Sequence, residues 1–161
     1  MPITVGIADL KVGKAPDIVV TYALGSCVGI CLYDATKKIG GLAHIMLPLS
    51  TESATQPSDN KNKLRYADTG IEALITIMER NGASRSRMTA KIAGGAQMFS
   101  TGSSIFNIGE RNVAAVKQTL AKYKIRIIAE ATGANFGRTV FFHTDKGVME
   151  VKAAAKPTVT L

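Results

Sequence analysis

Residues 18–47 read IVVTYALGSCVGICLYDATKKIGGLAHIML, three apolar runs parted by a Gly-Ser corner and a charged turn. Ile18 to Leu24, Cys27 to Tyr33 and Ile39 to Leu47 are short and rich in β-branched and small residues, which predicts three strands. Asp34-Ala35-Thr36-Lys37-Lys38 between the last two is a run of polar turn formers and predicts a hairpin loop. The same stretch carries a hydroxyl at Thr21, a thiol at Cys27 and an imidazole at His44, all within otherwise apolar chain.

Downstream the period changes. Ala67, Ile71, Leu74, Ile75 and Met78 share one face of a helix, and Asn81-Gly82 supplies a stop, so a helix is expected over about residues 66–80. A second is expected from about Glu110 to Tyr123, with Val113, Val116, Leu120 and Tyr123 as its stripe and Glu110 suited to the first turn. Thr89 to Ala93 reads as a strand entering the turn Gly94-Gly95, and Ile125 to Glu130 as another. Arg138 to Phe142 and Val148 to Lys152 form a closing hairpin around Asp145-Lys146-Gly147. Ser50 to Lys63 is polar and is expected to be a mobile loop. Strands first and alternation later predict one α+β domain over 1–161, a layered mixed sheet or sandwich with two main helices.

The chain has 161 residues, 46% of them apolar, enough for a real core. No stretch reaches the roughly 18 apolar residues of a membrane span, and the start lacks a basic leader, so a cytoplasmic protein without membrane insertion is expected. Of the net charge of +8, residues 61–130 carry twelve Lys and Arg against five Asp and Glu. That basic half suits an acidic partner or simply solubility. Aromatic residues make up 6% and no recognition motif accompanies the charge, which argues against nucleic acid.

Cys27 and Cys31 are the two cysteines. Four positions along one strand span about 13 Å, beyond the reach of a disulfide, so both are expected to be free thiols. Cys27 follows Gly25-Ser26, a corner that can expose the thiol and let backbone N–H groups, that of Cys27 first, converge on an oxyanion. His44 can take the thiol proton and return it to a leaving group, and Thr21 can hold the other ring nitrogen. Strand alternation puts Leu42, His44 and Met46 on one face and Ala43, Ile45 and Leu47 on the other. It does not say whether Cys27 meets that face, and a cysteine among Val, Gly and Ile is also compatible with inert packing. Cys31 reads as core.

Gly94-Gly95-Ala96-Gln97-Met98-Phe99 lacks the Gly-Lys-Ser/Thr of a phosphate loop and reads as a tight turn beside the active face. Gly25, Ser26, Gly94 and Gly95 are therefore the candidate oxyanion or substrate-binding positions. Cys27, Cys31, His44 and His143 lack the spacing of a zinc site, and no metal or organic cofactor is expected. His143 reads as an exposed or half-buried strand residue.

Six ordered segments carry a resemblance over nearly the whole length: Thr21 to Cys31, Gly40 to Pro48, Lys63 to Asp68, Ala90 to Met98, Asn107 to Asn112 and Gly137 to Val140. Together they resemble the CheD family of chemoreceptor glutamine deamidases. The resemblance implies Cys27 as nucleophile, His44 as general base and acid, Thr21 as third member, and a layered fold similar to that of cytotoxic necrotizing factor deamidases. It implies, as substrates, glutamine side chains on the cytoplasmic helices of chemotaxis receptors, with glutamyl methyl esters hydrolysed by some members. It also implies a CheC-type phosphatase as partner. Ala131 to Phe136 departs from the family, which often has an acidic residue and a Gly-Gly pair there, so loop shape or partner binding is affected rather than the three site residues. A regulatory protein that docks on such a partner without turnover is the alternative reading.

Overall fold

A computed structural model describes residues 2–52, 63–98 and 107–161. Ten strands form two five-stranded sheets. In chain order they are β1 (Ile3–Val5), β2 (Asp9–Lys14), β3 (Ile18–Leu24), β4 (Val28–Asp34), β5 (Ile39–Ile45), β6 (Met88–Gly94), β7 (Arg126–Thr132), β8 (Arg138–His143), β9 (Val148–Lys152) and β10 (Val159–Thr160). The first sheet runs β1-β3-β8-β9-β10 and the second β2-β5-β4-β6-β7. Among the described residues the helices α1 (Ala67–Arg80) and α2 (Ile108–Lys122) complete the α+β layered fold that the sequence predicts.

Three layers follow from where the apolar side chains go. Ala43 and Ile45 of β5 and Ile30 and Leu32 of β4 pack with Ile71, Leu74 and Met78 of α1 and with Val116 and Leu120 of α2. Leu42 and Cys31, their alternate neighbours, pack with Val19, Val140 and Phe142 of the first sheet. Strands β4 and β5 are thus covered on both faces, which is why they read as unbroken apolar runs rather than as alternation. The turn end of the β4–β5 hairpin is tied down. Asp34, fully buried, accepts two hydrogen bonds from Arg87 Nε (3.0 and 3.1 Å), one from Arg87 Nη2 (2.8 Å) and one from the Ser84 N–H (2.9 Å). Burial works against its charge, but these donors outweigh it and hold the carboxyl down to about 2.

The sheets are mixed, as expected. β1 runs parallel to β3 and β6 parallel to β7, the latter pair joined through α2, while the remaining neighbours are antiparallel. Strands β1, β2 and β10 were not legible in the sequence. β1 and β10 are three and two residues long, and β2 carries Asp9, Lys11, Gly13 and Lys14 around Leu10 and Val12. β5 ends at Ile45, so the predicted strand to Leu47 is shortened by two residues, and β4 starts one residue after Cys27. Of the expected loop from Ser50 to Lys63, Ser50–Glu52 forms a single 3₁₀ turn and residues 53–62 lie outside the described residues, as does Phe99.

Candidate active site

Thr21 comes from β3 of one sheet and His44 from β5 of the other, and the two meet in the layer between them. Thr21 Oγ1 lies 2.7 Å from His44 Nδ1 and 2.8 Å from the Val5 carbonyl, and both side chains are fully buried. A carbonyl only accepts and a hydroxyl has one proton, so Thr21 donates to Val5 and must accept from His44 Nδ1–H. That fixes the tautomer. The proton sits on Nδ1, Nε2 carries a free lone pair, and Nε2 is buried with no hydrogen-bond partner among the described residues. Burial lowers the His44 pKa to about 4, with the Asp9 carboxylate, opposite His44 in the β2–β5 register, acting the other way. The ring is therefore a neutral base at neutral pH.

Cys27 stands one residue before β4. Gly29, two residues on, pairs with His44, and Cys27 packs against the inter-sheet cluster that contains Leu42 and Cys31. It is thus on His44's side of the sheet, just beyond the end of the β4–β5 pairing. Its side chain is half-buried. Burial pushes the thiol pKa up, and the residue's own backbone N–H partly offsets this. Cys31 is deep in the core with its pKa raised by burial. Both thiols are free.

The route from Thr21 to Cys27 is set by a break in β3. Its register against β8 shifts between Thr21 and Leu24, and Ala23 takes φ +60°, a left-handed value that costs a non-glycine residue roughly 1–2 kcal/mol. The Gly25 N–H then bonds the Ala23 carbonyl at 3.1 Å, turning the chain sharply into Ser26-Cys27. All three carbonyls of that corner are held from the β6–α2 side. Gly25 O accepts from the Ala96 N–H (2.9 Å), Ser26 O from Asn112 Nδ2 (3.0 Å) and Cys27 O from the Gly95 N–H (2.8 Å).

The turn at Gly94-Gly95 needs its glycines. Gly94 has φ +110°, and a Cβ there would fall 2.3 Å from the Cys27 carbonyl oxygen. The Gly95 N–H is engaged with Cys27 O, so this turn supports the thiol's backbone and offers that N–H to no ligand. On its far side a cavity of about 460 Å³ is lined by Gly95, Gln97, Asn107, Glu110 and Lys117 among others, and by none of Thr21, Cys27 and His44. Arg138, buried, donates to Gly133 O at 2.9 Å and stacks on Phe136 at 4.5 Å, closing the adjoining turn. His143 is a half-buried strand residue, as expected, with Nε2 2.5 Å from Glu150 Oε1.

Sequence reasoning missed Asn112 and the Val5 carbonyl. Asn112 is a fully buried polar residue on the core face of α2, where Gly109, Asn112, Ala115, Val116, Thr119 and Leu120 are buried. A polar residue at core-facing helical spacing is the signal that could have found it. The Val5 carbonyl belongs to a strand too short to show.

A layered α+β protein whose two sheets bring together a hydroxyl and an imidazole, with a half-buried thiol on the same side of the sheet, is the class that fold and site define. The comparisons agree on the family. The model described as "CheD chemotactic sensory transduction" matches residues 46–153. A protein of Caldanaerobacter subterraneus subsp. tengcongensis is 55% identical over 150 residues, covering 92% of this chain and 90% of the relative. One of Syntrophomonas wolfei is 50% identical over 152 residues (93% and 92%), and one of Moorella thermoacetica 46% over 158 (96% and 92%). Each of these relatives is named "Probable chemoreceptor glutamine deamidase CheD". The chain belongs to the CheD family. The family match begins after His44, but a relative aligned over 92% of the chain necessarily takes in Thr21, Cys27 and His44 as well.

Proposed function

We propose that the protein hydrolyses glutamine side-chain amides of chemotaxis receptors to glutamate and ammonia, with Cys27 as nucleophile. The observation that carries the reading is His44. It is an imidazole locked by Thr21 and Val5 as the Nδ1–H tautomer, with its Nε2 lone pair buried, without a partner among the described residues and on the side of the sheet where Cys27 lies. The names of the relatives supply the substrate class.

Both groups rest neutral, so the step is general-base attack rather than reaction of a preformed ion pair. His44 Nε2 takes the thiol proton as Sγ bonds to the carboxamide carbon, and the C=O π pair moves to oxygen. The N–H of Cys27 is the first oxyanion donor, and Gly25 and Ser26 shape the approach. When the oxyanion collapses, the C–N bond breaks, and His44 gives the proton to the departing nitrogen as ammonia. A water, deprotonated by the same Nε2, then cleaves the thioester to glutamate and the thiol. The same sequence hydrolyses a glutamyl methyl ester with methanol as leaving group.

The proposed place of action is the cytoplasm, where a receptor's cytoplasmic helices lie. Among the described residues no helix is long and apolar enough to cross a membrane. A CheC-type phosphatase is the second proposed partner, on the strength of the family resemblance, and co-purification with one tests it.

Hydroxylamine added to a reaction with a receptor cytoplasmic fragment tests the covalent route. The account expects glutamyl hydroxamate at the modified glutamines with wild type and none with Cys27→Ala. Turnover by wild type with no hydroxamate captured contradicts the thioester. Receptor or CheC binding without any turnover, in wild type and Cys27→Ala alike, favours the docking reading.

A further inference from the structure

We infer that Asn112 is a positioning residue for this reaction, clamping with one buried carboxamide the backbone just before the nucleophile and the backbone just after the base. The inference rests on the pairing of Cys27 with His44 proposed above. Asn112 Nδ2 donates to Ser26 O at 3.0 Å and to Met46 O at 3.1 Å, so its two protons serve the residue before Cys27 and the second residue after His44.

The geometry gives this clamp a direction. The Ser26–Cys27 peptide is trans, and in a planar trans peptide C=O and N–H point opposite ways. Drawing Ser26 O toward α2 aims the Cys27 N–H away from the helix, on the opposite side of the peptide. The oxyanion donor is thus oriented from the other end of its own peptide. At Met46, the carbonyl held by Asn112 and the N–H donated to Arg65 O at 2.9 Å pin the chain as it leaves β5, which fixes the approach of His44 to Cys27. The helix is seated for this purpose. A Cβ at Gly109, one turn before Asn112, would meet Ala96 O at 2.3 Å, so only glycine lets α2 approach closely enough for a short asparagine to reach both carbonyls.

The test compares Asn112→Ala and Asn112→Ser with wild type, His44→Ala and Val116→Ala. Val116 lies on the same helix, buried in the apolar core, so its variant matches a loss of stability without removing either hydrogen bond of the clamp. The first readout is the pH profile of Cys27 alkylation by iodoacetamide, which needs no receptor. Wild type is expected to show a His44-dependent component at neutral pH, absent in His44→Ala. Both Asn112 variants should move toward the His44→Ala shape, the serine less, and Val116→Ala should keep the wild-type shape. Changed access to the thiol scales the rate but not the shape of the profile.

With a receptor fragment as substrate, Asn112→Ala should lower kcat about 100-fold with KM within about twofold, the signature of misplaced reacting groups. In wild type, the Asn112 carboxamide protons should exchange slowly and shift when Cys27 is alkylated, a readout that requires no variant to fold. Wild-type profiles in both Asn112 variants, an equal kcat loss in Val116→Ala, or carboxamide protons exchanging at the solvent rate would each overturn the proposal. A profile shared by wild type and His44→Ala would overturn the pairing and this inference together. Silence toward receptor with the alkylation pattern intact would sink the deamidase reading and leave the clamp standing.

Discussion

Thr21 has one hydroxyl proton and gives it to the Val5 carbonyl, and from that allocation follows the protonation of His44. Thr21→Val removes the acceptor at Nδ1 and frees the ring to adopt the wrong tautomer. It should lower kcat roughly 10- to 100-fold, with little change in KM, and steady-state kinetics on a receptor fragment checks this. The acid limb of activity belongs to the same side chain. His44 is base-competent above its pKa of about 4, so kcat/KM should stay level on mild acidification and fall as pH drops through about 4. A limb near the ordinary histidine value would mean that the base is solvated. Alternation in Gly41 to Leu47 was enough to set His44 with Leu42 against Ala43 and Ile45, and the structure agrees. What alternation could not supply was the partner, because Thr21 reaches His44 across two different sheets and sheet pairing is not a local property of either strand.

At the scale of elements, α2 and the Gly94-Gly95 turn act as one support. Gly109→Ala gains about 1 kcal/mol of intrinsic helix propensity, yet its new Cβ would sit 2.3 Å from Ala96 O and 2.7 Å from Gly95 O. The clash outweighs the gain, so the variant should melt lower than wild type and lose kcat as the helix is pushed from the turn that holds Cys27 O. Thermal melts with kinetics on the same preparation test both halves. α1 and α2 were legible because an apolar stripe at helical spacing is written locally, in Ile71, Leu74, Ile75 and Met78 for the first. β2 was not, because it lies at a sheet edge with Lys11 and Lys14 facing solvent and only Leu10 and Val12 turned toward the core. Asn112 escaped for a related reason: the predicted stripe took Val113 and Tyr123 as core, whereas the buried face is rotated to include Asn112 and Thr119.

For the whole molecule, two buried groups divide the response to acid into separate windows. His44 has a folded pKa of about 4 against an ordinary value of 6.5, so on acidification the unfolded chain binds the proton first. Stability should fall between about pH 6.5 and 4, by about 3 kcal/mol at the lower end. Asp34 is held at about 2 against 3.8, and its contribution, complete above 3.8, should be lost as pH falls toward 2, by about 2 kcal/mol. Urea midpoints across pH check this. His44→Ala should flatten the first window and leave the second, and Asp34→Asn the reverse. The +8 charge adds a property of the surface, since binding to an acidic receptor segment should weaken as salt rises.

Peptide mass spectrometry of a receptor cytoplasmic fragment, after incubation with wild type, Cys27→Ala or His44→Ala, tests the central claim most directly. The account predicts Gln-to-Glu conversion at defined positions with wild type, matched by ammonia release, and neither with the two variants. Conversion that survives in Cys27→Ala would contradict it, because no other described group would then be the nucleophile that this site is built to activate.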